Sequence, residues 1–366
     1  MSPYSPLKVF HHQERLDFLK RGIQIVPSQV QLIISDLCNQ DCHFCAYRMS
    51  GYTSNQLFGI EDPVTGLVNN NPNRMIPYPK IVEILDDCED MGVGAVQITG
   101  GGEPTVHPQH TQIFKDVLDR GLKLAVVTNG VRLLWDSIEQ LGQAAWVRIS
   151  IDAGNEKTYA RTRSVSEDNW TRVWNNVEQL AKYRDDNNTG LVLGIGFVVT
   201  KENWSELPKC ALKAKRAGSD NIRISAVFQE EDENYFKGIY KTIKEIIHDV
   251  KRDYADNDFR VFDNFGDRYD DLEQRSPEYS FCGYQQFNTY IGADLNVYRC
   301  CVLAYNEKGK LGSLKEQTLG QFWQSELKKD KIADLDARTC PRCMFNNKNR
   351  TILYALDKNP EHVDFV

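Results

Sequence analysis

Residues 95–152 read AVQITGGGEPTVHPQHTQIFKDVLDRGLKLAVVTNGVRLLWDSIEQLGQAAWVRISID. Three short runs rich in Val and Ile, AVQITG (95–100), KLAVVTNG (123–130) and WVRISID (146–152), alternate with two stretches of helical period, HTQIFKDVLDRG and LLWDSIEQLG. A helix between successive strands makes their pairing parallel, with the helices crossing over on the outside. The same rhythm runs outward in both directions. VQLIISDL (30–37) precedes PKIVEILDDCEDMG, and LVLGIGFVVT (191–200) and NIRISAVF (221–228) are interleaved with WTRVWNNVEQLAKYRD and ELPKCALKAKRAG. Six strands each followed by a helix predict an α/β fold with a parallel sheet, open or closed into a barrel. Several helical stretches end in Gly, as a left-handed cap requires. In such barrels the chemistry collects at the C-terminal ends of the strands.

Composition limits the alternatives. The chain has 366 residues, 41% hydrophobic and 26% charged, which is ordinary globular usage and excludes a collagenous or disordered chain. Lys+Arg 44 against Asp+Glu 51 gives a formal charge of −7, which argues against bulk nucleic acid and anionic membranes as partners. No run of eighteen apolar residues spans a membrane, and the start MSPYSPLKVFHHQE carries no apolar signal region. A cytoplasmic location is expected. There the ten cysteines point to metal or catalysis rather than to disulfides.

Two segments break the rhythm. Residues 47–76 form a long stretch rich in Gly, Asn, Ser and Pro, read as a lid or substrate-contacting loop or as a tolerated surface insertion. After about 265, FDNFGDRYDDLEQRSPEYS reads as a polar linker, followed by the hairpin-like FNTYIGADLNVYRCC. The expected division is an N-terminal segment 1–28, a barrel 29–265, a small domain 266–350 held by metal rather than by core burial, and a tail 351–366.

The chemistry starts with Cys38, Cys42 and Cys45 in LCNQDCHFC, directly after the first strand. Three thiolates within one loop can wrap one face of a metal centre. Structural zinc wants four closed ligands, whereas an iron–sulfur cubane on three cysteines leaves one iron open. His43 lies inside the loop and is read as pointing away. The stretch, with Phe44 before the last cysteine, resembles the C-x3-C-x2-C signature of radical S-adenosylmethionine (radical SAM) enzymes. TGGGEPT, with Gly101, Gly102 and Glu103, resembles the family's GGEP segment, and Thr128-Asn129-Gly130 its TNG.

The resemblance implies a partial (β/α)6 TIM barrel whose cysteine loop holds a SAM-binding [4Fe-4S] cluster. Gly101, Gly102 and Glu103 would receive the methionine amino group, and Ser150 and Asp152 the ribose hydroxyls or the carboxylate. Arg163 matches the family's arginine after this strand, with Arg161 as its competitor; Asn203 and Arg223 are weaker candidates. Phe44, Thr128 and Asn129 complete the expected cofactor contacts.

A second set, Cys282, Cys300, Cys340 and Cys343, resembles the SPASM and twitch domains. None of the ten cysteines follows Cys343, so the match is to the twitch type with one auxiliary [4Fe-4S] cluster. Cys301 is the alternative to Cys300, and a zinc ribbon the alternative to the cluster. Cys88 and Cys210 read as buried small hydrophobes.

The implied activity is reductive cleavage of SAM to a 5′-deoxyadenosyl radical that abstracts a substrate hydrogen. The substrate expected is a ribosomally made precursor peptide, with cross-linking, epimerisation, decarboxylation or excision of a tyrosine-derived unit as outcomes. A small molecule such as an aminosugar or nucleotide is the alternative, and a non-enzymatic two-site zinc protein the alternative class. Expected partners are an electron donor such as flavodoxin or ferredoxin. A separate leader-peptide-binding protein is also expected, because 1–28 shows no winged-helix module.

Overall fold

The computed structural model describes residues 3–47, 60–61, 68–69, 74–228, 235–274 and 276–361. One sheet organises them. Its strands are β1 (Gln29–Leu32), β2 (Ala95–Ile98), β3 (Lys123–Thr128), β4 (Trp146–Ser150), β5 (Val192–Val199), β6 (Asn221–Ala226), β7 (Arg260–Asn264), β8 (Asn288–Ile291), β9 (Asn296–Tyr298) and β10 (Lys310–Ser313). Their order is β10-β9-β8-β1-β2-β3-β4-β5-β6-β7. From β8 to β7 every pair is parallel; β9 and β10 are antiparallel additions. This is a partial barrel of α/β type. All six expected strands are present in the expected order.

The helices pack on the sheet through narrow apolar stripes. Tyr78–Asp90 buries Ile81, Ile84, Leu85 and Cys88, the i, i+3, i+4, i+7 pattern of one helical face. Cys210 is likewise buried, in Leu207–Arg216. Gly92, Gly121 and Gly218 adopt left-handed φ just beyond their helices. Gly142 does not, with φ −62. A Cβ there would meet the Tyr183 ring at 2.2 Å, so close packing, not backbone hand, requires that glycine.

The structure departs from the expected organisation in three places. The polar linker is in fact strand β7 and helix Phe265–Gln274. Few of its residues are apolar, but Phe265 is fully buried and packs with Tyr240, Tyr269 and Phe236, so two aromatics at i, i+4 suffice to seat the helix. The small domain shares the barrel's sheet and core. β8 pairs with β1 from Gln29↔Asn288 to Leu32↔Ile291, and Tyr290, Val297, Leu311 and Phe322 belong to the same apolar cluster as Val30 and Leu32. The tail expected from 351 starts inside helix Asn346–Leu356. That helix packs with the N-terminal segment in a second small core of Val9, Leu16, Ile25, Tyr284, Phe287 and Ile352, beside Cys282 and Cys300.

Most of the loop expected at 47–76 lies outside the described residues; within it Ile60–Glu61 and Val68–Asn69 pair antiparallel. Its end is tied down. Asp36, fully buried, accepts from Arg74 Nε at 2.8 Å and from Tyr305 Oη at 2.5 Å. Burial pushes its carboxyl up to about 6 against the pull of Arg74 and Tyr305. Among the described residues no helix is long and apolar enough to cross a membrane.

Tyr305 reaches Asp36 from the C-terminal third of the chain, so this bond tests whether that third is docked on the barrel. Tyr305→Phe strands a buried acceptor and should lower stability by about 1–3 kcal/mol, read from denaturant unfolding under argon. A change below a few tenths would mean that the two parts are not packed as described.

Candidate functional site

A cavity of about 390 Å³ opens at the C-terminal ends of β1 to β6. It is lined by Cys38, Cys42, Phe44 and Cys45 from the loop after β1 and by Gly101, Gly102 and Glu103 after β2. Thr128 and Asn129 at the end of β3, and Ser150, Asp152 and Arg163 from β4 and the helix after it, complete the wall. Every cofactor-binding residue expected from the sequence therefore borders one space, together with the first three cysteines.

The cysteine loop is held by its neighbours more than by itself. Asp41 and His43 donate backbone N–H to Arg163 O (3.1 Å) and Thr162 O (3.2 Å). Gly102 N and Glu103 N donate to Ser35 O and Leu37 O at 3.1 and 3.0 Å. A Cβ on Gly102 would lie 2.2 Å from Leu37 O, so this glycine lets the GGE turn approach the cysteine loop's backbone. His43 points outward to Glu202 (3.7 Å), half exposed, as expected.

Glu103 is 2% exposed and already engaged. Its Oε1 accepts from Thr105 N (3.1 Å), Thr105 Oγ1 (2.8 Å) and Thr128 Oγ1 (2.6 Å), and its Oε2 from Asn129 N (2.7 Å). Burial raises its pKa and these four bonds oppose that. Three of these bonds converge on Oε1 and a single one on Oε2, so Oε2, with two lone pairs, can take a further donor such as an ammonium. Asn129 in turn donates from Nδ2 to Asn39 Oδ1 at 2.7 Å, tying β3 to the cysteine loop.

Asp152 and Arg163 satisfy each other. Asp152 has φ +56; its Oδ2 accepts from Arg163 Nη2 and its Oδ1 from Val198 N at 2.6 Å. Arg163 Nη1 continues to Gln40 Oε1 (2.7 Å) and Cys42 Sγ (3.7 Å). Burial works against the charge of Arg163, but Cys42 and Asp152 outweigh it and hold its pKa above the ordinary value. Arg163 thus grips an internal carboxylate. Its competitor Arg161 is exposed and pairs with Glu202 at 3.3 Å. Asn203 braces the Asp152 turn, donating to Asp152 O and Val198 O at 2.8 Å each. Gln40 and Arg268 also border the cavity. Sequence reasoning passed over them because a polar residue in a loop and a cation on a polar helix carry no spacing signal.

Cys282, Cys300, Cys340 and Cys343 line a second, smaller cavity with Tyr279, Tyr284, Arg299 and Asn349. Phe345 N donates to Cys343 Sγ at 3.3 Å, and Tyr279 Oη lies 3.5 Å from it. Cys301 borders the large cavity instead, so consecutive residues face the two spaces. Among the described residues no three His, Cys, Asp or Glu side chains converge on a single-ion site.

Residues 32–214 match the model of the Radical SAM superfamily, and 282–344 that of an iron–sulfur cluster-binding domain, SPASM. The cofactor-modifying protein of tungsten-containing aldehyde ferredoxin oxidoreductase from Pyrococcus furiosus is 29% identical over 150 residues, 40% of this chain and 42% of its own length. An S-adenosylmethionine-dependent nucleotide dehydratase from Flammeovirga pacifica is 27% identical over 192 residues, 51% and 59% respectively. The chain thus spans about half the length of the curated relatives it matches. SuiB of Streptococcus suis, solved with its precursor peptide SuiA, has the same fold at a TM-score of 0.62 and 16% identity, over 91% of this chain and 73% of that one. So does anSMEcpe with bound AdoMet and Kp18Cys peptide, at 0.56 and 15%, over 83% and 82%.

The Asp152–Arg163 pair tests the geometry independently of any cofactor. Arg163→Met leaves an uncompensated buried carboxylate and should cost about 3–5 kcal/mol. Arg161→Met removes an exposed pair worth about 0–1 kcal/mol. Equal losses for the two in guanidinium unfolding would contradict the arrangement.

Proposed function

Because the chain belongs to the radical SAM superfamily and carries a SPASM domain, we propose that it reductively cleaves SAM at the first cavity and modifies a ribosomally made peptide there. The observation that carries this reading is the pairing of spaces: Cys38, Cys42 and Cys45 line one cavity together with Cys301, and Cys282, Cys300, Cys340 and Cys343 line the other, so that the consecutive Cys300 and Cys301 border one space each. When bound, SAM and a [4Fe-4S] cluster supply a one-electron cleavage that delivers a 5′-deoxyadenosyl radical for hydrogen abstraction.

The chain's residues set the conditions for that chemistry. Cys38, Cys42 and Cys45 offer three ligands and leave one iron open. The free acceptor position of Glu103 and the backbone of Gly101 suit the methionine ammonium. Ser150, on the cavity wall at the end of β4, suits a ribose hydroxyl. Arg163 and Gln40 are positioning residues: they fix the Cys42 loop and place a cation beside its sulfur. Phe44, packed on His43 and 6.0 Å from the Arg163 guanidinium, lines the cavity and would help to exclude water from it.

Cys282, Cys300, Cys340 and Cys343 would hold an auxiliary cluster by four thiolates, an arrangement that suits electron transfer rather than substrate ligation. Its position one residue from the large cavity supports exchange of an electron with the substrate radical. A flavodoxin or ferredoxin is the external donor this chemistry calls for. The fold shared with SuiB and anSMEcpe, each solved with a peptide, supports the peptide substrate. A nucleotide is the second reading, favoured by the nucleotide dehydratase relative.

Anaerobic protein with SAM and dithionite should release 5′-deoxyadenosine, and the Cys38, Cys42 and Cys45 to Ala triple variant should release none while keeping roughly half of the iron. SAM cleavage by the triple variant would refute the first site. Cys300→Ser should lose about half of the iron and Cys301→Ser very little, as read from iron content and EPR of the reduced clusters. The reverse result would move the ligand to Cys301.

A further inference from the structure

The smaller cavity is lined by a buried cation as well as by four thiols. Arg299 directly follows β9, one residue before Cys300, and is 5% exposed. Three separate segments seat its guanidinium. Nη1 donates to Gln285 Oε1 at 2.8 Å, Nε to Lys308 O at 3.3 Å and Nη2 to Lys331 O. Gln285 is itself 1% exposed, in the short helix Tyr284–Phe287. All three acceptors are uncharged oxygens, so these bonds fix the guanidinium without neutralising it. Arg342 lines the cavity too, but its guanidinium stacks on Phe228 at 4.8 Å, a ring that borders the large cavity.

The charges that act on Arg299 are chiefly the thiols. Burial works against its cation; Cys282, Cys340 and Cys300, in that order, work for it, and Asp334 follows them. Cys340 feels Lys308 and then Arg299 in return. Asp334 and Lys308 are both exposed, where water screens a charge. Arg299 is screened far less, because it is buried against the cavity. A buried cation is held most cheaply by an anion that shares its surroundings, and here the thiolates of the cavity are that anion. A [4Fe-4S] cluster on four thiolates becomes more negative by one charge on reduction, so a fixed cation beside it favours the reduced state.

We propose that Arg299 is a positioning residue of the auxiliary site, whose charge stabilises the one-electron-reduced cluster and so holds its reduction potential up. This rests on the reading of Cys282, Cys300, Cys340 and Cys343 as the ligands of an auxiliary cluster. Arg299 forms no bond and moves no proton in this role. It biases the electron exchange proposed above toward the cluster: the substrate radical would give up one electron and one proton, the cluster would gain the electron, and an oxidised flavodoxin or ferredoxin would carry it away.

The test uses the full chain as the Cys38, Cys42 and Cys45 to Ala triple variant, so that only the auxiliary cluster contributes an EPR signal. Under argon that signal is followed in a dithionite titration against mediator dyes. Adding Arg299→Met should lower the ratio of reduced to oxidised cluster at a fixed potential about tenfold or more, a downward shift of about 59 mV or more for one electron. Arg299→Lys keeps the charge and should fall between the two. Arg338→Met removes an exposed arginine paired with Asp336 and should match the parent. An unmoved potential in Arg299→Met overturns the proposal. So does an Arg299→Lys shift as large as that of Arg299→Met, because shape rather than charge would then set the potential. Should the Met variant not assemble its cluster, Arg299→Gln is judged by the same two criteria. A triple variant without iron and sulfide overturns the auxiliary-cluster reading and the proposal with it, whereas a fully assembled cluster with an unmoved potential overturns the proposal alone.

Discussion

Arg163 uses all five of its N–H donors. Nε reaches Ile151 O, Nη1 reaches Gln40 Oε1 and Cys42 Sγ, and Nη2 reaches Ser150 O and Asp152 Oδ2. Two of these acceptors belong to the cysteine loop and three to the end of β4, segments that no strand pairing joins. The guanidinium therefore does what the sheet cannot, fixing a mobile class of structure, a loop of alternating polar residues and thiols, against a rigid strand end. An ammonium has three donors on one point and could not span this geometry. With five acceptors around it, one of them a carboxylate and one a thiolate when metal is bound, the buried charge is compensated. The loop is thereby placed before any cofactor arrives, and preorganisation of this kind is what positions a difficult one-electron cleavage.

β1 distributes that order to the rest of the chain. It is flanked in parallel by β2, which ends in the GGE turn, and by β8, which opens the hairpin leading to Cys300. Both cysteine sets therefore hang from one strand and its two partners. The C-terminal third is consequently not a metal-held appendage. Tyr290, Ile291 and Val297 bury themselves in the barrel's core, and Tyr305 closes on Asp36. What remains local to the auxiliary site is the small core of Val9, Leu16, Ile25, Phe287 and Ile352, built from both ends of the chain. The distance between the two sites is thus set by sheet geometry, which hardly varies, rather than by a linker.

How legible this was depends on the range of the interaction. The six strands and their helices could be read because each follows from a period of a few residues, and the thiol loop because three cysteines in eight residues have little else to do. β7 could not be read, since only Val261 of its five residues is buried and no alternation survives. The docking of 266–350 was missed for a different reason: parallel pairing of β8 with β1 joins residues some 260 positions apart, and nothing local in NTYI announces a partner. Glu103, Asp152 and Arg163 all border the cavity, but their expected roles took no account of the partners each already has. Motif matching puts a carboxylate near a ligand; it does not count how many donors that carboxylate already has. Gln40 carries no motif at all, and only its bond to Arg163 gives it a part.

The formal charge of −7 shows the same limit from the other side. Averaged over the chain it speaks only to long-range attraction, which salt screens beyond a Debye length. Inside the cavity the average has no meaning. Its lining sets Arg163, Arg223 and Arg268 beside Glu103 and Asp152, where low-dielectric walls reduce screening and each charge acts on its neighbours more strongly than it would at the surface. What the cavity can hold therefore depends on where these charges sit, and no count of residues contains that information.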